Sequence, residues 1–371
     1  MTHVFSRGRV ASAAAILAIS IFASKSAFAD DAAGAVYTMT NAAAGNSILI
    51  FDRGANGALA NAGSVATAGK GQGSGLGSQG ALTLSADQRW LLAVNAGSND
   101  VTVFSVTDDG LQWRSKTPSG GTTPISVAIH GRLVYVLNAG TPNVAGFTLK
   151  PDGSLESIPG AMQILNGAAG PAQVDFDAEG DLLVVTDKPT NQIFTLRLNE
   201  DGVASSPVSH SSHGATPFGF AIDRRDHMIV SEAHGGPSNS SALSSYDVEE
   251  NGELRLITGS APTNQDAACW VVITQSDKLT FTSDTGSGVI TGFQVGRDGG
   301  LTILNPQGVS AQTGAGSTPT DLALSENSRF LFSLNPGAAN IAGWRIAEDG
   351  SLAFTGVALG IPASASGIAA R

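Results

Sequence analysis

Cysteine is nearly absent: Cys269 stands alone in 371 residues. No intramolecular disulfide is available, so the fold must be held by its core. Helix periodicity is missing as well. No long stretch keeps a 3.6-residue apolar repeat, which argues against bundles and layered α/β folds. Basic residues are scarce, 20 Lys and Arg against 31 Asp and Glu, and no Lys/Arg cluster is visible. A net charge of −11 repels phosphate backbones and anionic lipid heads, so no nucleic-acid partner is expected. The site motifs of several chemistries are lacking too. His210, His213, His227 and His234 fit no zinc spacing, no EF-hand loop occurs, and there is no Gly-x-Ser-x-Gly elbow. The Gly69–Gly80 stretch (GKGQGSGLGSQG) lacks the Gly-Lys-Ser/Thr ending of a P-loop and reads as a flexible mouth loop. No metal and no cofactor are expected.

What is present begins with a leader. Arg7 and Arg9 precede an apolar run, Val10 to Phe22, and Ala27-Phe28-Ala29 has the small-x-small form of a cleavage site. Residues 1–29 therefore read as a signal peptide and 30–371 as one exported domain, periplasmic or secreted. The leader holds Arg7, Arg9 and Lys25 and no acid, leaving 17 basic against 31 acidic residues, a formal charge of −14. No later run reaches the roughly 20 apolar residues of a membrane span. With 42% apolar residues the chain can build a sufficient core alone, and a monomer is expected.

One phrase recurs seven times: an aromatic, a few alternating residues, a polar residue, Gly, and then usually Leu. Its aromatics are Phe51, Phe104, Phe147, Phe194, Tyr246, Phe293 and Trp344; its glycines are Gly57, Gly110, Gly153, Gly202, Gly252, Gly299 and Gly350. The Asp-Gly or Asn-Gly step marks a hairpin, because Gly accepts positive φ without a Cβ clash. Between phrases lie short apolar runs, such as Pro124–Ile129, Pro171–Phe176 and Pro217–Ile222, then Trp90–Val94, Leu133–Leu137 or Phe330–Leu334. The pattern predicts an all-β, seven-bladed β-propeller with four-stranded antiparallel blades. The first repeat lacks an inner strand, and the tail from Gly360 to Ala369 resembles one. The C-terminus is expected to close the ring by pairing with the N-terminal strands.

Aligned repeats place a polar residue at the end of every second strand: Asn41, Asn95, Asn138, Asp187, Glu232, Asp284 and Asn335. Two readings stand side by side. Asn and Asp open loops by bonding nearby backbone N–H groups. Alternatively, the carboxylates face a central mouth and act on a ligand. Glu232 is a poor turn residue and lies two positions from His234, so Glu232, His234 and Asp187 are the candidate acid–base groups. Gln173, Trp270, Asp284, Asn138 and Asp321 are the candidate ligand contacts. Cys269 has no His or Asn helper in sequence and reads as a small buried hydrophobe.

The repeats, with the inner strand after Pro, the second strand ending in Asn or Asp, and the aromatic–Asp-Gly-x-Leu phrase, resemble the lactonase family of seven-bladed propellers. That family includes cytoplasmic 6-phosphogluconolactonases and the fungal carboxymuconate lactonising enzyme. The resemblance implies a lactonase or a lactonising cycloisomerase. Its catalytic motifs match poorly. The family's Gly-Pro-Arg-His falls on Gly170-Pro171-Ala172-Gln173, its Asn-Glu pair on Asp187-Lys188, and a further arginine near Asp266. Those arginines would hold an anionic substrate. Their loss, with an acidic mouth, implies a neutral or weakly charged lactone, sugar-derived or otherwise. The rival expectation is a non-catalytic extracytoplasmic propeller that binds a ligand or a protein.

Overall fold

The computed structural model describes residues 1–2, 32–234 and 238–371. Apart from its first two residues, the expected leader lies outside them.

Seven antiparallel sheets stand in a ring, five of four strands and two whose outer strand is broken in two. Blade 1 is Ala32–Met39, Ser47–Gly54 and Leu59–Ala66, with Ser366–Ala370 as its innermost strand. The other blades follow in sequence order, each running outward from its inner strand. In blade 4, for example, Pro171–Phe176 is followed by Leu182–Asp187, Gln192–Arg197 and Val208–Ser211. A 3-10 turn, Pro336–Ala338, is the sole helical element among the described residues. No helix among them is long and apolar enough to cross a membrane.

The tail closes the ring as expected. Val36 pairs with Ala370, Tyr37 with Ala369 and Thr38 with Ile368. Side chains reinforce the seam. Thr38 donates to the Gly367 carbonyl at 2.7 Å, and Arg53 donates to the Arg371 carbonyl at 2.9 Å and to that of Ala33 at 2.8 Å. This pairing satisfies an inner strand whose backbone groups would otherwise be unpaired at a buried edge.

Burial follows position in the blade. The second strands are almost wholly buried, as in Leu182–Asp187 and Phe330–Asn335, because blades cover both of their faces. All seven phrase aromatics are buried between blades. Their glycines all take positive φ, from 73° at Gly202 to 102° at Gly110.

Those glycines do a second job. In five blades the Cβ that Gly lacks would strike the neighbouring blade, and in a sixth, at Gly252, it would only come into van der Waals contact. Gly57 lies against Phe330, Gly153 against Trp90, Gly202 against Leu133, Gly252 against Leu182, Gly299 against His227 and Gly350 against Leu279. Each of these contacts is the first residue of the neighbour's second strand. The outer hairpin of one blade thus seats on the blade before it, and only Gly can be that close. Gly110 is the exception, with open space around it.

Two predictions follow from the ring. Ending the chain after Leu359 removes the inner strand of blade 1; thermal melting is expected to show loss of cooperative unfolding, and an unchanged melt would refute the closure. Gly202→Ala and Gly110→Ala share the backbone strain, but only the first drives a methyl into Leu133. Denaturant unfolding should find Gly202→Ala less stable than Gly110→Ala by about 1–2 kcal/mol.

Candidate functional site

The second strands end at one face, the mouth, with all seven predicted polar residues fully buried there. They do not face an open funnel. Asp187 accepts the N–H of Gly170 at 2.7 Å, that of Ala169 at 3.1 Å and the Thr190 hydroxyl at 2.5 Å. Glu232 accepts the N–H of Gly214 at 2.8 Å and the hydroxyls of Ser244 and, at 2.6 Å, Ser260. Asp284 accepts the Thr291 hydroxyl at 2.7 Å and that of Ser241 at 3.4 Å. Asn138 donates to the Ser119 carbonyl at 3.1 Å and to Asn143 at 2.8 Å. Asp187 and Glu232 turn into their own blades and brace the connections entering them, whose backbone N–H groups need acceptors, while Asp284 also reaches Ser241 of blade 5. His234 is half-buried, with Nε2 at 3.6 Å from the Glu232 carboxylate.

A second belt runs around the axis between inner strands. Ser126 accepts the N–H of Val174 in the next blade at 3.2 Å. Gln173 accepts the N–H of Phe220 at 2.7 Å and donates to its carbonyl at 3.0 Å. Asp321 accepts N–H groups of Leu322 and Ile368. In blade 5 the equivalent residue is Gly219, which has no side chain to offer. Gln79 fills the gap. Its carboxamide accepts the Val271 N–H at 2.9 Å and donates to the Val271 carbonyl at 2.7 Å. A Cβ at Gly219 would lie 2.1 Å from Gln79 Oε1.

Gln79 arrives on the Gly69–Gly80 stretch, and this corrects the expectation of a flexible loop. The stretch is a plug pinned across the ring. Asn41 of blade 1 donates to Ser74 at 2.6 Å, Ser78 donates to Ile125 of blade 3 at 2.8 Å, and the Gln79 N–H donates to Ala172 of blade 4 at 3.1 Å. Lys188 donates to the Gly77 carbonyl at 2.6 Å, and the Trp270 indole donates to that of Ser78 at 2.9 Å. Glycine lets the crossing backbone pass close to the inner strands.

Beside the plug at the mouth lies a cavity of about 450 Å³. It lies between Leu76 of the plug, Trp270 of blade 6, Thr320 and Pro336 of blade 7, and Ala365 just before the closing strand. No titratable side chain lines it. Of the predicted site residues Trp270 alone reaches this space, its ring held 4.8 Å from that of Phe218. Glu232, His234, Asp187, Gln173, Asp284, Asn138 and Asp321 stand elsewhere. Gln79, Lys188 and Thr320 escaped the sequence reading; the one available signal was the Gln that ends the glycine-rich stretch. The Cys269 thiol is buried and pushed up to about 12 by burial, far from a reactive thiolate.

A family model for the seven-bladed lactonase propeller matches residues 35–164 and 233–359. The chain belongs to the lactonase family. The unmatched stretch between, 165–232, holds Gln173, Asp187 and Glu232. Solved structures agree on the fold. A Lactobacillus plantarum protein aligns at a TM-score of 0.72 and 16% identity, covering 91% of this chain and 99% of that one. A Pseudomonas aeruginosa periplasmic gluconolactonase aligns at 0.68 and 17%, covering 90% and 98%. A Bacteroides fragilis protein with a proposed 6-phosphogluconolactonase assignment aligns at 0.68 and 15%, covering 91% and 97%. No curated protein matches the chain in sequence.

This lactonase-family propeller buries several carboxyls without a cation. Burial raises Asp284 to about 7 and Asp175 to about 6, and it lifts Asp321 well above the usual range. The folded state therefore holds these protons more tightly than the unfolded chain. Their contribution is complete below about pH 4 and is lost as pH rises through 6 to 7. Melting temperature is expected to fall between pH 4.5 and 7.5. Asp284→Asn, a residue that blades 2, 3 and 7 already carry at this place, should flatten the fall; an unchanged slope would show that Asp284 ionises freely.

Proposed function

We propose that the protein admits a small, uncharged lactone to the mouth cavity and hydrolyses it. One observation carries the reading: a cavity at the mouth of this lactonase-family ring has no charged side chain in its lining. An uncharged lining suits a neutral ring and penalises an anionic one through desolvation. Its volume falls within the range of small-molecule sites. In the hydrolysis, water's oxygen adds to the carbonyl carbon and the ring C–O bond breaks. One proton of the water is carried to the ring oxygen through solvent, giving the hydroxy acid. Glu232, with both oxygens already bonded, and His234 beside it lie outside the cavity lining and take no part in this step. Trp270 supplies the apolar wall. The leader in the sequence, together with the periplasmic location of the Pseudomonas aeruginosa neighbour, supports an exported address.

A second reading is a propeller that binds the same ligand without turning it over. The absence of any acid or base from the cavity lining favours it.

A panel of neutral lactones, including glucono-1,5-lactone, separates the two. Gly75 lines the cavity with nothing within 4 Å of a built Cβ, so Gly75→Phe fills the space without a clash. Hydrolysis is expected to vanish in Gly75→Phe. Binding without turnover would establish the second reading, and turnover indifferent to Gly75→Phe would discard the site.

A further inference from the structure

Cations are scarce in this chain, yet the face opposite the mouth gathers three of them in one cleft. A cavity of about 660 Å³ lies at the base of blades 6 and 7, where their second strands begin. Arg224, Lys278 and Arg329 line it, and Glu348 is the one acid in its lining. Arg224 is already matched, with Nε and Nη2 at 3.0 and 2.8 Å from one Asp277 oxygen. Lys278 and Arg329 hold equivalent places, each just before the second strand of its blade. Both are exposed, and among the described residues neither side chain has an ion pair or a hydrogen bond. The corresponding cleft between blades 2 and 3 shows what is missing. It too holds three cations, Arg89, Arg132 and Lys150. There Arg89 pairs with Asp87 at 2.7 Å, Lys150 pairs with Glu156, and Arg132 donates to the Leu149 carbonyl at 3.0 Å. Arg329 also acts on Arg53 of blade 1, whose guanidinium is held below its usual range by burial and then by that second positive charge.

Two cations without counter-ions focus a positive field in the cleft, and an anion would recover the cost of that crowding. The turns that carry them are tied together, because the Gln275 N–H donates to the Ser328 hydroxyl at 2.8 Å. Asn327 spends its side-chain oxygen on the Ser325 hydroxyl and the Arg329 N–H, which leaves its amide N–H groups without a described partner. An ammonium, a guanidinium and an amide are all donors, the set that holds phosphate oxygens. We propose that this cleft binds the phosphate group of a small soluble ester through Lys278 and Arg329. Its volume exceeds a phosphate alone, and Glu348 can accept from a hydroxyl on the rest of the ligand. The chain's net charge of −11 sets it against an anionic membrane as the source. The site stands apart from the mouth and does not depend on what the mouth binds.

Calorimetry at low ionic strength tests it, with inorganic phosphate, glycerol phosphate and glycerol as probes. Wild type should bind the first two and not the third. Lys278→Gln and Arg329→Gln should each weaken phosphate binding about tenfold. Lys150→Gln, in the cleft whose cations are matched, should leave it unchanged, and Glu348→Gln should tighten it. Melting curves of the variants show that each is folded. No phosphate binding by wild type would overturn the proposal. So would binding indifferent to Lys278→Gln and Arg329→Gln, and so would an equal loss in Lys150→Gln, which would mean long-range attraction without a site. Sedimentation with phosphatidate vesicles separates the two sources of phosphate. Wild type should stay in solution; capture that Lys278→Gln abolishes would overturn the soluble ester and leave the phosphate contact on a lipid.

Discussion

The ring must close, and it closes through one short strand. Ser366–Ala370 is the innermost strand of blade 1, so residues more than 300 apart in sequence share a sheet. With that strand in place, no blade has a free side. Second strands can then be apolar on both faces, and each outer hairpin can seat on a neighbour. The hairpin glycines make the dependence concrete. At Gly202 or Gly350, positive φ and the missing Cβ are both required, the first by the turn and the second by Leu133 or Leu304 against it. A residue chosen for a local turn is also the contact that passes blade spacing from one sector to the next.

The polar rings have the same origin. Seven strand ends converge at one mouth, where incoming connections bring backbone N–H groups that need acceptors. At Asp187 and Glu232 a carboxylate meets them, with His234 3.6 Å from the second. The inner belt solves a related problem nearer the axis, where side chains bridge inner strands that are too far apart for a direct ladder. Gln79 shows that the solution is chemical and not tied to position. A carboxamide offers one donor and one acceptor, and it meets Val271 as Gln173 meets Phe220.

Much of the architecture was legible because repetition multiplies weak signals. One Asp-Gly step is a guess, whereas seven with buried aromatics before them define blades. Closure was legible because a strand was missing at one end and present at the other. The mouth was less so. The residues at the second-strand ends could be aligned, but their direction could not, because Asp187 facing Gly170 or facing the axis has the same sequence. The plug was misjudged for a different reason. Glycine content reports permissiveness, and a permissive backbone can be loose or closely packed. What decided it was the pairing of Gln79 with backbone groups 192 positions away, which no local pattern contains. Trp270 was legible as a residue of the mouth, since it opens an inner strand there.

The unmatched stretch ties these threads together. Residues 165–232 lie outside the family match, and they contain the places where the family's arginine, histidine and glutamate would fall. Here those places carry structural duty. Gln173 bridges to Phe220, Asp187 braces its own connection, and Lys188 holds the plug by Gly77. A plug that needs these residues occupies the axis beside blades 4 and 5 and leaves space beside blades 6, 7 and 1. The remaining side is lined by Trp270, Thr320, Pro336 and Ala365.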